Sequence, residues 1–439
     1  MIRKSIGWLA LVAAMTAVGL PSPVLAQTDT ATTSFDVNGL KVILRRNTAN
    51  DVVAANMYLL GGTQQLTPAT QGIEAFLLAA SERGTKQFPG PATQALTTRL
   101  GTQFEISPQE DWTVFGFKSV RATFDSSFAV FADRLLAPTL DSNEVELVRT
   151  RLMTNARDVR LSPDPLVNIL ADSLEYVGHP YGFSAVGNES SLFSLAVSQL
   201  RNYEASQMVT SRMLLVVVGN VDRARLEPLV ARAFGSTPRG SYTWAAPRPP
   251  AKLGRALLAR PADLPTNYIL GYYAGPAARD PDYQALRIAT AVLNGRFFTE
   301  IRSRRNLSYE VDAPFVERAL STAGVYVTTV DPNQTLRLMR AEITRLQTEL
   351  IDPLGLDRLI QQFITDFFLK NETNGDQATF LARAQIYQGD YRAAGRFVDE
   401  LRKVKPEDVR RVARTYMHDF RFVYLGKPEA LDRSILEQF

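Results

Sequence analysis

The sequence has no cysteine and only two histidines, His179 and His418. Without cysteine, the chain can form no disulfide, thiolate nucleophile, iron–sulfur cluster or cysteine-ligated zinc site. The two histidines lie far apart along the chain, so no local pair of imidazoles is available to bind a metal. A hydrolytic function would therefore have to do without the side chains that hydrolases most often use.

The rest of the composition is that of an ordinary folded protein. The chain has 439 residues, of which 45% are hydrophobic and 21% are charged, and this argues against disorder and coiled coils. At roughly 100 to 200 residues per domain, the length corresponds to two to four domains. The formal net charge is only +4, and no lysine- and arginine-rich cluster is interleaved with aromatics. Binding to nucleic acid is therefore not indicated.

Residues 1–26 have the pattern of an export signal. Two basic residues precede an apolar run over 6–20, and a small residue, Ala26, ends the segment. The alternative, a membrane anchor, needs about 18 unbroken apolar residues, but Pro21 and Pro23 interrupt the run. We therefore expect a periplasmic or secreted protein after signal-peptide cleavage near Ala26, with no membrane span in the mature chain.

The order of sequence signals repeats in the two halves of the chain. A helix pattern at 196–203 is followed by an apolar strand at 213–218, and a helix pattern at 404–416 is followed by a strand at 420–425. Between the halves lies a proline-rich stretch with the composition of a linker. The sequence therefore predicts an N-terminal domain at 27–234, a linker at 235–254 and a C-terminal domain at 255–439. Each domain is expected to be α+β, with helices covering a sheet.

Several short motifs then point to a family. They are Gly39-Leu40-Lys41-Val42, Leu60-Gly61-Gly62, Gln71-Gly72-Ile73, His179-Pro180-Tyr181-Gly182 and the run 215–221. In this order and spacing, they resemble the insulinase/pitrilysin zinc metallopeptidases, and among these the mitochondrial processing peptidase subunits. The resemblance implies two homologous α+β sandwich domains, each with a mixed or antiparallel sheet covered by helices, that together form half of a clamshell.

The family's inverted zinc motif, His-x-x-Glu-His, is missing. Aligned on Gly72 and Gly84-Thr85, its three essential positions fall on Ala75, Leu78 and Ala79. The family's third ligand is expected near 151–158, where Asp158 is the one carboxylate. The resemblance therefore implies a non-catalytic member with a degenerate zinc motif, no metal ligand and no cofactor in this chain.

The remaining polar residues near this motif are expected to be structural. Glu74 and Glu82 have the pattern of exposed helix residues, and Asp158 that of a solvated helix face. His179 is expected to pack in its loop rather than to catalyse, and His418 to lie at a helix end. A serine triad has little support, because no histidine is near enough to activate a serine.

The second half keeps a stretch that the family uses to hold substrate. Residues 294–311 contain Arg302 and Tyr309 at the positions of the family's Arg/Tyr pair, and the resemblance implies that both contact the peptide backbone. The alternative is that Arg302 belongs to a solvated arginine-rich stretch and that Tyr309 is a half-buried strand residue. Segments 102–106 and 112–118 resemble the family's peptide-binding edge, with an ordinary strand pair as the alternative.

Three functional hypotheses remain. The first is a non-catalytic subunit of an exported heterodimer, which binds peptide substrates for a partner chain that carries the zinc. The second is a pseudo-enzyme that acts as a peptide-binding or scaffold subunit of an envelope complex. The third, a peptidase that works alone with unusual ligands, is disfavoured by the missing donors.

Overall fold

The computed structural model describes residues 31–251 and 254–439. The predicted signal peptide at 1–26 lies outside this range and stays a prediction. No helix within these two stretches combines the length and apolar character needed to cross a membrane.

The first half builds one six-stranded sheet with the strand order β1-β2-β6-β3-β5-β4. In this sheet, β2 and β6 run parallel, and the other neighbouring strands run antiparallel. In chain order, the strands and helices are β1 (Thr32–Val37), β2 (Leu40–Arg46), β3 (Val52–Leu60), α1 (Ile73–Ala80), α2 (Gly90–Leu100), β4 (Gln103–Pro108), β5 (Trp112–Val120), α3 (Phe124–Leu136), α4 (Ser142–Leu161), α5 (Pro163–Glu175), α6 (Glu189–Ser194), α7 (Val197–Gln207), β6 (Met213–Gly219) and α8 (Arg223–Phe234).

The second half builds a sheet with the strand order β10-β11-β8-β12-β7, and a short strand, β9, also pairs with β11. Its elements are β7 (Ala256–Pro261), β8 (Asn267–Ala277), α9 (Asp282–Phe297), β9 (Val311–Asp312), β10 (Phe315–Val316), β11 (Leu320–Thr329), α10 (Pro332–Thr348), α11 (Pro353–Lys370), α12 (Asn374–Gln388), α13 (Phe397–Arg402), α14 (Pro406–Tyr416) and β12 (Arg421–Gly426). A π-helical segment, Phe298–Ser303, continues directly from α9.

Four strands of each sheet share the same order and directions. Strands β7, β12, β8 and β11 take the places of β2, β6, β3 and β5, and β7–β12 is again the parallel pair. This agreement confirms the predicted α+β fold with two sheets covered by helices. The predicted boundaries at 234 and 255 stay predictions.

One helix from each half packs on the sheet of the other half. Helix α12 packs on β3 and β6 of the first sheet, where Leu381 joins a buried cluster with Tyr58 and Val216. Helix α5 packs on β8 and β12 of the second sheet, where Val167 lies in one cluster with Leu270. A fully buried aliphatic or aromatic side chain contributes about 1.5–3 kcal/mol. The exchanged helices therefore join the two halves through buried apolar surface.

A buried carboxylate adds a polar contact between the halves. Asp111, 2% exposed, accepts hydrogen bonds from the hydroxyl groups of Tyr181 and Tyr387, the latter at 2.6 Å. It also accepts the backbone N–H of Ala319 at 2.8 Å. Because Tyr387 and Ala319 belong to the second half, this one side chain connects segments more than 200 residues apart.

The proline-rich stretch is attached to the first half. Residues 235–251 form no helix or strand. The backbone N–H groups of Thr210 and Ser211 donate to the carbonyls of Pro238 and Arg239 at 3.0 and 2.9 Å. These bonds fix the course of the stretch along the surface of the first half.

Candidate functional site

The three degenerate zinc-motif positions lie together on α1. Gly72 precedes the helix with φ +81°, a conformation that glycine adopts without strain. Ala75, Leu78 and Ala79 are 6%, 1% and 6% exposed, and Leu78 and Ala79 pack in the core of the first half. Because these side chains consist of hydrocarbon, they offer no donor atom to a metal.

The nearby carboxylate Glu74 is buried, and the prediction of an exposed residue was wrong. Glu74 is 4% exposed and pairs with the fully buried Arg212, with 2.6 Å between Oε2 and Nη1. It also accepts the hydroxyl of Tyr203 at 3.0 Å, and Arg212 Nε donates to the carbonyl of Leu60 at 2.7 Å. A buried charge needs such partners to offset its desolvation. Glu74 is therefore engaged in holding α1 against β3.

The region of the expected third ligand faces solvent. On α4, Arg151 reaches Glu82 at 3.3 Å and Arg157 reaches Glu189 at 2.7 Å, while Asp158 lies on the exposed side. Among the residues that the structure describes, no group of three or more His, Cys, Asp or Glu side chains could hold a metal. The side chains present at the motif positions do not fit a zinc ion, and no zinc-dependent step is assigned to this chain.

Arg302 and Tyr309, seven residues apart in sequence, are brought into contact. The guanidinium carbon of Arg302 lies 4.9 Å from the ring centroid of Tyr309 and 5.2 Å from that of Phe298. Both Arg302 and Tyr309 are exposed, Tyr309 to 83%. A cation on an aromatic face at an exposed site contributes about 0.5–1 kcal/mol. The contact holds two hydrogen-bond donors side by side at the surface.

The neighbouring arginines differ from Arg302 in their partners. Arg304 and Arg305 both form ion pairs with Glu300. No ion pair involves Arg302 among the residues described. The stretch is therefore not a uniform row of solvated arginines, because three of its four guanidinium groups, those of Arg296, Arg304 and Arg305, have a carboxylate partner and that of Arg302 is available to a ligand.

The turn between Arg302 and Tyr309 requires an unusual backbone conformation. Asn306 has φ +51°, in the left-handed region. Asparagine adopts this conformation more readily than other residues with a side chain. This accounts for an asparagine at this turn.

The predicted peptide-binding edge is formed by β4 and β5. Strand β4 is one of the two outermost strands of the first sheet and pairs antiparallel with β5 on its inner side. An outermost strand presents a row of backbone groups that another extended chain can pair with. The structure thus provides the edge, and its use by a peptide remains a prediction.

The two histidines have structural partners. His179, 8% exposed, accepts the backbone N–H of Tyr181 at Nδ1, and its Nε2 lies 3.0 Å from the carbonyl of Arg248. Burial lowers its pKa, with only partial compensation from the Arg248 carbonyl. His418 is exposed and lies 2.9 Å from the carbonyl of Thr415 at the end of α14. These positions agree with the packing and helix-end roles expected from the sequence.

Sequence reasoning missed the Glu74–Arg212–Tyr203 cluster and the Asp111 contacts. A lone glutamate in an otherwise apolar helix was the available signal for the first. The sequence offers no such signal for Asp111, because its partners lie 70 to 276 residues away in the chain.

Two family profiles match this chain. The profile described as insulinase (peptidase family M16) matches residues 41–180, and the one described as peptidase M16 inactive domain matches residues 194–363.

Similar sequences carry peptidase and complex-subunit names. The chain is 25% identical to the mitochondrial-processing peptidase subunit beta of Blastocladiella emersonii over 58% of its length and 55% of that protein's length. It is 21% identical to the uncharacterized zinc protease YmxG of Bacillus subtilis over 86% of its length and 93% of that protein. It is also 21% identical to the mitochondrial cytochrome b-c1 complex subunit 1 of Homo sapiens over 58% of its length and 54% of that protein.

Two solved structures share the fold. A protease from Helicobacter pylori superimposes with a TM-score of 0.81 at 20% identity, covering 90% of this chain and 99% of that one. A peptidase M16 inactive domain from Pseudomonas fluorescens superimposes with a TM-score of 0.82 at 18% identity, covering 90% and 98%.

The fold and the altered α1 define a peptidase-like protein of two α+β halves that lacks the inverted zinc motif. The chain belongs to the insulinase (peptidase M16) family.

Proposed function

We propose that this protein is the non-catalytic subunit of an exported heterodimeric insulinase-family zinc metallopeptidase. In this proposal, it binds the peptide substrate for a partner chain that carries the zinc and the His-x-x-Glu-His motif. The single observation that carries the proposal is the contrast between the two halves. The three zinc-motif positions on α1 carry no metal-binding side chain, whereas Arg302 and Tyr309 form an exposed pair without a carboxylate partner among the described residues.

The chemistry of the pair suits a peptide backbone. The guanidinium group offers a planar set of N–H donors, and the phenol adds an O–H donor. Carbonyl oxygens of a bound peptide can accept from both, and the donors can also stabilise negative charge that develops on such an oxygen during hydrolysis in the partner. The outermost strand β4 supplies a second support, since a peptide can add to it through main-chain hydrogen bonds.

The proposal is tested by cleavage of an internally quenched peptide library. The mature chain is assayed alone, with an insulinase-family chain that carries the zinc motif and is encoded beside it, and with that partner alone. We expect activity in the mixture and little in either chain alone. Arg302→Ala should lower kcat/KM of the mixture by about a hundredfold to a thousandfold, the range observed when a transition-state donor is removed.

The matched control is Arg304→Ala. Arg304 lies two residues away in the same stretch and is already paired with Glu300, so its removal should change kcat/KM by less than about threefold. A mixture that gains no activity, or whose activity is equally insensitive to both substitutions, contradicts the proposal. Tyr309→Phe then separates the hydroxyl, which it removes, from the ring contact with Arg302, which it retains.

A second function, a scaffold subunit of an envelope complex, is supported by one comparison. A similar protein in Homo sapiens is named as subunit 1 of the cytochrome b-c1 complex. Affinity purification of the chain from its native envelope distinguishes the two functions. Recovery of a large complex without a zinc-motif chain favours the scaffold, and recovery of a zinc-motif chain at equal stoichiometry favours the heterodimer.

A further inference from the structure

A large cavity lies in the second half, away from α1. Its volume is about 870 Å³, within the range of small-molecule and short-peptide sites. Residues of α9, α11 and α12 form its sides, together with the stretch that contains β9 and β10. The family resemblance assigns no role to it.

The cavity occupies the second half's counterpart of the zinc cleft. In the first half, the family's zinc ligands would lie on α1 and α4, the helix after β3 and the second helix after β5. In the second half, α9 follows β8 and α11 is the second helix after β11, so the same positions in the repeat are taken by α9 and α11. In the first half, Leu78 fills this position between the helices. In the second half, the corresponding position is part of the cavity.

The walls are rich in aromatic side chains. The lining includes Tyr283, Phe315, Phe363, Phe367, Phe380 and Phe397. Between two of these rings lies the guanidinium group of Arg287, 5.2 Å from the ring centroid of Phe363 and 5.1 Å from that of Phe397. Such a surface favours a flat or large apolar group over a small polar one.

The charges on the lining balance one another. Glu317 lies between Arg287 and Arg383 and forms an ion pair with each. Over the whole lining, five basic residues face six acidic ones. A phosphate-rich ligand such as a nucleotide needs a surplus of positive charge, and the cavity has none.

Apart from Oε1 of Glu317, which lies in the ion pair with Arg287, three polar atoms of the lining have no hydrogen-bond partner among the described residues. They are Oε1 of Gln284, Oδ1 of Asn294 and Nε of Arg383, which are buried and include both acceptors and a donor. Unpaired buried polar atoms are uncommon in folded proteins. Peptide groups offer an N–H and a C=O at regular spacing, so an extended peptide is a ligand whose donors and acceptors match both kinds of atom.

We propose that this cavity binds a short extended peptide segment through one aromatic or large apolar side chain and the amide groups beside it. The inference rests on the proposed peptide-binding function, and it adds a second binding position and a side-chain preference. The segment can come from the substrate itself, outside the bond that is cleaved, or from a free product peptide.

The test measures direct binding to the full mature chain without any partner. Four dye-labelled pentapeptides, Gly-Ser-X-Ser-Gly with X as Phe, Leu, Ala or Asp, are titrated by fluorescence anisotropy. We expect the Phe peptide to bind about tenfold to a hundredfold more tightly than the Ala peptide, as for burial of one large apolar side chain. Ala291→Phe, which fills the cavity from α9, should abolish that preference.

The control is Ala205→Phe, the same substitution at an exposed position of α7, which should leave the preference intact. Circular dichroism establishes that each variant is folded. If Ala291→Phe is not folded, Phe363→Leu replaces it and should weaken binding of the Phe peptide by about threefold to tenfold. Equal binding of the Phe and Ala peptides, or an unchanged preference in the folded cavity variant, overturns the inference.

The binding measurement requires neither zinc nor cleavage. Its failure is therefore distinguishable from failure of the proposed function. The two sources of peptide are separated in the reconstituted mixture with a long substrate. If the cavity holds part of the substrate, Ala291→Phe raises KM and the free Phe pentapeptide inhibits competitively. If it holds a product peptide, the pentapeptide alters kcat, and Ala291→Phe removes that response without raising KM.

Discussion

Asn306 determines how Arg302 and Tyr309 come together. Its φ of +51° turns the chain between the end of the π-helical segment and Tyr309. A residue with a side chain in the left-handed region costs roughly 1–2 kcal/mol, less for asparagine and little for glycine. The geometry of the exposed pair therefore depends on a single backbone conformation.

We expect Asn306→Ala to destabilise the protein by about 1 kcal/mol and Asn306→Gly to change its stability by less than about 0.5 kcal/mol. Urea unfolding followed by circular dichroism measures both. Asn202, exposed on α7, is the matched control. Glycine is less favourable than alanine in a helix, so at this position the glycine variant should be less stable than the alanine variant. The same order at both positions would show that Asn306 is not held in the left-handed region.

At single residues, the sequence showed which donor groups are present, but it did not predict what surrounds each side chain. The loss of donors at Ala75, Leu78 and Ala79 could be read directly, because no neighbour can replace a missing imidazole. The burial of Glu74 could not be predicted in this way, because its partner Arg212 lies 138 positions later in the sequence, after several helices. Burial of a charge depends on what the fold places against it.

Among the elements, α5 carries a carboxyl group into the interface with the second sheet. Glu175, the last residue of α5, is 6% exposed, and burial raises its pKa to about 7, with only partial compensation by Arg421 at 3.9 Å. The folded state therefore holds the proton more tightly than the unfolded chain, where the pKa is near 4.5. This contribution to stability is fully present below about pH 4.5 and is lost as the pH rises through about 7.

Glu175→Gln should remove this pH dependence. We expect the variant to match the wild type near pH 4 and to be more stable at pH 8 by up to about 3 kcal/mol, the equivalent of the shift in pKa. Free energies of unfolding at the two pH values measure the difference. Glu372→Gln, at an exposed position, is the control and should leave the difference between the two pH values as in the wild type; a result for Glu175→Gln identical to this control would contradict the assignment.

The elements themselves were largely predictable. The sequence indicated strands at 213–218 and 420–425, and the structure has β6 and β12 there. It missed β1, whose alternating pattern is short. It also did not indicate that α5 and α12 pack on the opposite sheet, because an apolar helix face does not specify which sheet will cover it.

For the whole molecule, the packing of α5 and α12 on the opposite sheets makes the stability of each half depend on the other. Trp112 and Trp244 lie in the first half and both contact Tyr387 of α12, with ring centroids 5.4 and 6.1 Å apart. Tryptophan fluorescence therefore reports on the contact between the halves. Far-ultraviolet circular dichroism reports on the helices of both.

Leu381→Ala should destabilise the molecule by about 2–5 kcal/mol, the usual cost of truncating a fully buried leucine. Because Leu381 belongs to the second half but packs on the first sheet, we expect fluorescence and circular dichroism to show coincident transitions at a lower denaturant concentration. Leu354→Ala, at a position 68% exposed, is the control and should shift neither. Two separate transitions in the wild type would mean that the halves unfold independently.

The sequence by itself determined the fold class, the duplication and the lack of donor side chains at the zinc-motif positions. These follow from local patterns and from the kinds of atoms that each side chain contains. Only the tertiary structure decided that Arg302 lies on Tyr309 while its neighbours pair with Glu300, that Glu74 is buried, and that a cavity remains between α9 and α11. The first depends on the backbone turn at Asn306. The other two are relations between segments far apart in the chain, and the packing of the folded molecule sets their distances.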